Sequence, residues 1–310
     1  MTAAVMVTVD AHYADMLQLF LGSLHRHYPN HPDVLVCTTG WNAPLQDRFR
    51  RLFPFVTWVD AAYLEWHAGP PMQHQETFDH SIMYARWAAL TTRFDRYDQV
   101  LYLDADILVL EPLDTLFDAD RLVAFEERYP DKATLVFNDR CADGLKALLE
   151  ADELGDYDWS IAANAGVIVW PRSVRAAGHL AAAERITRHY APYLMWGDQS
   201  LLNVWMARYR LGVTHDCRFN YQLRLVLRDQ AQCCPFRDVK ILHFNGQRPD
   251  RLFLMALSFL VVTSVPGGLR MLPTVLRIAA SRLFHWLPGY RIWQALRRKV
   301  IERALTGAAS

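Results

Sequence analysis

The sequence predicts an α/β fold, a sheet with helices on both faces, followed by a helical basic tail. Three observations carry that prediction. From Ala4 to Val59, short β-branched runs alternate with stretches of helical periodicity. The run Gln99 to Pro112, QVLYLDADILVLEP, reads as a buried strand ending in an acidic pair, with a second apolar run, Ile107 to Leu110, after it. Of the chain's 310 residues, 52% are hydrophobic, enough for a substantial core, yet charge is divided unevenly along it.

Ala4 to Val9 reads as a short strand stopping at Asp10. Tyr13 to His27 carries Met16, Leu17, Leu19, Phe20, Leu21 and Leu24 at helical spacing and is ended by Pro29. A strand over Val34 to Thr38, a short helix over Leu45 to Leu52 and a strand over Phe55 to Val59 complete a βαβαβ alternation. Such alternation implies parallel pairing. Ala61 to Phe78 lacks periodicity and contains Gly69, Pro70 and Pro71, so a long loop is expected, of the kind that is either a functional lid or disordered. Ser81 to Phe94 reads as one helix, with Arg86 on a turn that could face a site. Further on, strands are expected over Leu122 to Phe125, Ala162 to Trp170 and Val239 to Phe244. Helices are expected over Asp139 to Glu150, Val174 to Tyr190 and Trp196 to Ala207.

Asp104 and Asp106 are the candidate centre. In an extended backbone, residues i and i+2 point to one side at roughly 6.5 Å. Two carboxylates so placed in a dry site repel one another unless a cation pairs with them. All-oxygen ligation suits Mg²⁺ or Mn²⁺. Taken alone, an Asp pair at a strand end is as easily a turn with one carboxylate capping its neighbour.

After residue 250, nine basic residues face a single acid, Glu302, an excess of eight. The whole chain holds 33 residues of each sign, so residues 1–250 carry an equal acidic excess. No nucleic-acid partner is expected. Leu252 to Leu269 is uncharged but broken by Pro266, Gly267 and Gly268, leaving about 14 residues where a span needs about 20. Ile292, Trp293, Leu296 and Val300 share a helical face opposite Arg291, Arg298 and Glu302, a pattern suited to an anionic membrane surface; the competing reading of the tail, strongest over Leu252 to Val265, is a helical cap packed on the acidic body. The five cysteines, Cys37, Cys141, Cys217, Cys233 and Cys234, lack metal spacing and read as ordinary thiols of a reducing compartment. MTAAVMVTVD lacks a basic n-region and a long apolar stretch, so no signal peptide is expected. A cytoplasmic protein, peripheral on the membrane's cytoplasmic face, is the expectation.

Six segments in order, VTVDAHY, YAR, LYLDADILVL, NAGVIVW, WGDQSLLN and HFNGQRP, resemble the family 8 retaining glycosyltransferases over about Val5 to Pro249. The resemblance implies a GT-A fold, a Rossmann-like mixed sheet with helices on both faces, as a catalytic domain over 1–250. Residues 251–310 form the basic, amphipathic helical extension. The implied reaction moves a hexose from a UDP-sugar to a glycan or glycolipid, with Mn²⁺ or Mg²⁺. Carried onto this chain, it assigns Asp10, His12 and Tyr13 to the uridine end of the donor, and Arg86 to the diphosphate or sugar. Asp104, Asp106 and His243 become metal ligands. Asn164, Ala165 and Gly166 line the sugar, Gly246 and Arg248 belong to the closing phosphate-binding motif, and Asp198 and Gln199 meet sugar hydroxyls and the anomeric face. The chain departs from the family at Ser200, where a third carboxylate often stands, at Arg248 in place of Lys, and at Asp250 in place of Trp. Competing readings are a nucleotide-sugar-binding protein without transfer, a self-glycosylating enzyme, and a phosphatase, against which Leu108 stands where Thr or Val is expected.

Overall fold

The computed structural model describes residues 1–60, 81–127, 162–175, 179–190, 197–209, 211–212, 214–223, 234–245 and 251–262. The expected loop over Ala61 to Phe78 and helix over Asp139 to Glu150 lie outside these residues, as does the tail beyond residue 262. The chain divides into two compact units, Met1–Gly246 and Gln247–Ser310. In the second, the described element is a helix, Arg251–Val262. Among the described residues no helix is long and apolar enough to cross a membrane.

The first unit begins as the alternation predicts, with β1 (Ala3–Asp10), α1 (Ala14–His27), β2 (Asp33–Thr39), α2 (Ala43–Leu52) and β3 (Val56–Asp60). The α2 helix starts where the Asn42 side chain accepts from the backbone N–H of Leu45, with a proline in its first turn. A short α3 (Ser81–Tyr84) continues as the 3₁₀ segment Ala85–Leu90, so the single helix expected over Ser81 to Phe94 is tightened from its second turn on. Then come β4 (Gln99–Leu103), β5 (Ile107–Val109), β6 (Val123–Glu126), β7 (Ala163–Pro171), α4 (His179–Tyr190) and α5 (Asp198–Arg208). Val174 and Arg175, expected to open α4, form a turn instead.

The main sheet has the order β3-β2-β1-β4-β7-β6. Its first four strands are parallel, as the alternation implies. β7 runs antiparallel to both β4 and β6, which makes the sheet mixed. Every residue of β7 is buried. Trp87, Trp170 and Trp205 meet in a cluster with ring centroids 5.4 to 5.8 Å apart, packing the 3₁₀ segment, β7 and α5 together.

Within the run Gln99 to Pro112, β4 stops just before the acidic pair, as expected. After β4 the chain turns at Ala105–Asp106, and β5 enters a second, three-stranded sheet of order β5-β9-β8, with β8 at Tyr221–Gln222 and β9 at Ile241–His243. The two aspartates therefore sit on a bend between sheets, not in one extended segment. The second sheet is tied back to α1, whose Ser23 Oγ accepts from the Val109 N–H at 3.0 Å. Cys37 is a buried free thiol in β2 that burial pushes up to about 12, consistent with a small core residue. Cys217 is disulfide-bonded. That corrects the expectation of five ordinary thiols and removes the cysteine argument for a reducing compartment.

Candidate active site

The strand ends of both sheets bring the expected residues together. Asp104 closes β4, its N–H donating to Gly166 O at 2.9 Å. Asp106 lies on the bend, its carbonyl accepting from Phe244 N–H at 2.9 Å. Ile107 pairs with His243 across β5 and β9, which sets the imidazole opposite the acidic bend. One ligand atom from each of Asp104, Asp106 and His243 falls within 4.8 Å of the others. His243 Nε2 stands 3.3 Å from Asp106 Oδ1 and 3.8 Å from Asp104 Oδ2. It is buried with no hydrogen-bond partner. Two carboxylates and an orphaned imidazole nitrogen could hold a divalent cation.

Backbone proximity makes this convergence possible. A Cβ added to Gly166 would lie 2.2 Å from His243 Cε1 and 3.0 Å from both Asp104 Oδ2 and Asn164 Oδ1. Glycine is required there because the strand backbone passes directly beneath the imidazole.

Beside this set lies a buried ion network. Arg86, from the 3₁₀ segment, places Nε 2.5 Å from Asp198 Oδ2 and Nη2 3.3 Å from Asp104 Oδ1. Its Nη1 donates to Ala165 O, and its Cζ lies 4.5 Å from the Tyr102 ring centroid. Asp198 Oδ2 is in charge contact with Nε without the alignment of a hydrogen bond. Burial alone pulls the guanidinium's pKa down, but the Asp198 carboxylate, with Tyr102, Asp104 and Asp106, holds it above its ordinary value. Burial pushes the Asp198 carboxyl up to about 6 against the opposing pull of Arg86. Asp198 opens α5, where the helix dipole favours a carboxylate. It gets there through Gly197, whose φ of +53° suits glycine.

Asp104 is held from a second side. Tyr102 Oη donates to Asp104 Oδ1 at 2.7 Å. Having spent its one proton there, it accepts from Thr8 Oγ1 at 3.1 Å. Asn164 Nδ2 donates to Glu127 Oε2 at 2.8 Å and to Gln199 Oε1 at 3.3 Å, and the Ala165 N–H also donates to Gln199 Oε1 at 3.3 Å. At the end of β1, Asp10 Oδ1 accepts from the N–H groups of His12 and Tyr13, whereas its Oδ2 is buried with no hydrogen-bond partner. His12 is exposed and Tyr13 half-buried. Gly246 and Arg248 lie outside the described residues.

Tyr102, Glu127, Asn203 and Asn220 were not singled out from sequence. Asn203 clamps β7 to α5, accepting from Ala163 N–H at 2.6 Å and donating to Ala163 O and Gln199 O at 2.8 Å. Tyr102 alternates with Asp104 on β4, a signal available in the sequence; the other three are marked by no local pattern.

The sequence model of glycosyl transferase family 8 matches residues 4–248. This chain belongs to that family. As a family 8 glycosyltransferase it shares its fold with solved structures at low sequence identity. The bifunctional glycosyltransferase WbbM, in its apo structure, is 16% identical with a TM-score of 0.58, covering 89% of this chain and 52% of that one. This chain thus spans about half the length of WbbM. The galactosyltransferase LgtC, in complex with donor and acceptor sugar analogues, is 19% identical with a TM-score of 0.56, covering 87% and 99%. Mouse xyloside xylosyltransferase 1, in its apo form, is 14% identical with a TM-score of 0.55, covering 80% and 99%. No curated protein sequence matches the chain. The main sheet with its flanking helices is of the GT-A type, as expected.

Two predictions follow from this geometry. Gly166→Ala overpacks the strand beneath His243, at a cost of about 1–3 kcal/mol; urea denaturation measures the loss, and a shifted His243 imidazole resonance shows where it falls. The second concerns pH. Asp198 has a folded pKa of about 6 against an ordinary 3.8, so between those values the folded state holds a proton that the unfolded state has released. Its contribution to stability is complete below the lower value and is lost as pH rises through the upper, by at most about 1.4 kcal/mol per pH unit. Asp198→Asn is expected to flatten that part of the curve of unfolding free energy against pH in metal-free protein; an unchanged slope removes the assignment.

Proposed function

We propose that this glycosyltransferase moves a hexose from a UDP-sugar, with retention at the anomeric carbon and dependence on a divalent cation, onto a glycan or glycolipid at a membrane surface. The observation that carries the reading is the convergence of Asp104, Asp106 and the orphaned His243 Nε2. Charge supports it. Asp104, Asp106 and Asp198 together outnumber Arg86 by two negative charges, the deficit that one divalent cation balances. Asp10 Oδ2, a buried acceptor without a partner, suits an N–H of the uracil base, with Tyr13 stacking on the ring and His12 at its edge.

A cation held by Asp104, Asp106 and His243 supplies Lewis-acid stabilisation of the leaving diphosphate. The chain's own groups do the rest. Arg86 holds Asp104 and Asp198 in place and adds positive potential as charge develops on the phosphate, and Arg248 adds more from the closing motif. Asn164, Ala165 and Gly166 line the sugar. Asp198 accepts from its hydroxyls, while the Gln199 amide oxygen, steadied by Asn164 and Ala165, faces the oxocarbenium-like anomeric carbon. An amide is a poor nucleophile, which favours a front-face route over double displacement. The acceptor hydroxyl enters on the side that the diphosphate leaves and gives its proton to the departing phosphate oxygen. Trapping of a glycosyl adduct on Asp198 or Gln199 would sink this route.

Isothermal titration with a panel of nucleotide-sugars, with and without Mn²⁺, is the deciding experiment. The expected result is Mn²⁺-dependent binding of one UDP-sugar, followed by slow release of UDP. Asp106→Ala should keep the fold, by circular dichroism, and lose more than the roughly 10–100-fold typical of outer partners of a metal. Unchanged turnover in that variant removes the metal assignment. The basic tail is proposed to hold the enzyme at an anionic cytoplasmic leaflet. Replacing Arg297, Arg298 and Lys299 by Gln in the full chain should weaken sedimentation with phosphatidylserine vesicles, by about 1 kcal/mol for each charge lost, and vesicle binding that ignores both the substitutions and salt sinks that role.

A further inference from the structure

A chain of hydrogen bonds crosses from the main sheet to the small one behind the candidate metal ligands. Glu127 follows β6, Asn164 lies on β7, Asn220 precedes β8 and His243 ends β9, and all four are buried. Asn164 Nδ2 donates to Glu127 Oε2 at 2.8 Å. Asn164 Oδ1 accepts from Gly166 N–H at 2.9 Å and from Asn220 Nδ2 at 3.0 Å. Asn220 Oδ1 faces His243 Nδ1 at 2.7 Å.

The polarity of this chain is forced from its far end. A carboxylate oxygen accepts and a backbone N–H donates, so Asn164 is held one way round between Glu127 and Gly166. Turning its amide over would set oxygen against the carboxylate and NH₂ against the Gly166 N–H, leaving buried groups unpaired at about 1–3 kcal/mol each. With Asn164 Oδ1 fixed as an acceptor, Asn220 must present its NH₂ to it, and its own oxygen is left for the imidazole. That oxygen can only accept. In the neutral imidazole the proton therefore sits on His243 Nδ1, and the lone pair is on Nε2, the atom beside Asp104 and Asp106 that has no hydrogen-bond partner.

We propose that Asn220 is a positioning residue that, anchored through Asn164 to Glu127, holds His243 as the Nδ1–H tautomer and so keeps Nε2 open as a cation ligand. The proposal rests on the reading of Asp104, Asp106 and His243 as a cation site, but its first consequence is visible without any cation. Outer partners of this kind set ligand orientation and are commonly worth 10–100-fold in metal affinity.

The test uses the full-length, metal-free protein labelled with ¹⁵N-histidine at about pH 8, above the ordinary imidazole pKa. The His243 signals are assigned by difference from His243→Gln. Long-range ¹H–¹⁵N correlation is expected to show the wild-type proton on Nδ1. Asn220→Leu removes the acceptor; Nε2–H should appear, and Mn²⁺ affinity, read as free Mn²⁺ by electron paramagnetic resonance, should fall by roughly 10–100-fold. Asn220→Asp keeps an oxygen opposite Nδ1 while losing the bond to Asn164, so it should retain the wild-type tautomer. The proposal is overturned by Nε2–H in the wild type, by loss of the tautomer in Asn220→Asp, or by a folded Asn220→Leu with unchanged tautomer and affinity. Should Asn220→Leu not fold, the wild type and Asn220→Asp decide. A wild type that carries Nδ1–H yet binds no Mn²⁺ refutes the cation reading and leaves the tautomer relay standing.

Discussion

The constraint on which this site depends is a guanidinium buried among carboxylates. An unpaired cation at the depth of Arg86, or an unpaired carboxylate at that of Asp198, would cost several kcal/mol, and removing either partner leaves the other stranded. Three elements must therefore hold their places to within a hydrogen bond's tolerance. Each does so with an indole. The 3₁₀ segment carries Arg86 next to Trp87, β7 carries Ala165 and Trp170, and α5 carries Asp198 and Trp205. The three rings meet in the core while the three polar groups meet at the site. Packing energy, which is non-directional, thus fixes a charge arrangement that has little tolerance for error.

A second feature of the architecture is the break in the acidic strand. Because β4 and β5 belong to different sheets, Asp104 answers to the main sheet and Asp106 to the small one, and the candidate cation ligands straddle the seam. His243 is placed by pairing with Ile107, immediately after the bend, so the same register that closes the small sheet aims the imidazole. Gly166 allows the approach from the other side by presenting no Cβ. Candidate ligands drawn from both sheets meet at the seam between them, and strand ends are where ligands bind in open α/β sheets.

Much of this was legible in the residues. The alternation from β1 to β3 and the parallel pairing followed from periodicity, and the six ordered segments led to the GT-A sheet and to nearly every described site residue that the structure brings together. The strand expected to end in the acidic pair does end there, but the extended spacing expected of Asp104 and Asp106 was wrong, because two apolar runs joined by acidic residues read the same whether they enter one sheet or two. The helix expected from Ser81 tightened into 3₁₀ geometry over Ala85–Leu90, the segment that carries Arg86 and Trp87. Cys217 forms a disulfide that spacing could not have shown, since pairing depends on which loops approach one another.

The sequence by itself determined the family, the strand-and-helix order from β1 to β3 and the identity of the acidic pair, since periodicity and motif are local and survive reading one residue after another. Only the tertiary structure decided that Arg86 is held by Asp198 and Asp104, that Gly166 passes beneath an imidazole, and that Asn220 stands behind His243. These partners lie far apart in the chain, up to 112 positions for Arg86 and Asp198, and nothing local marks them. Their relation exists only once burial has removed water as the alternative partner, so that each polar group must find another within reach.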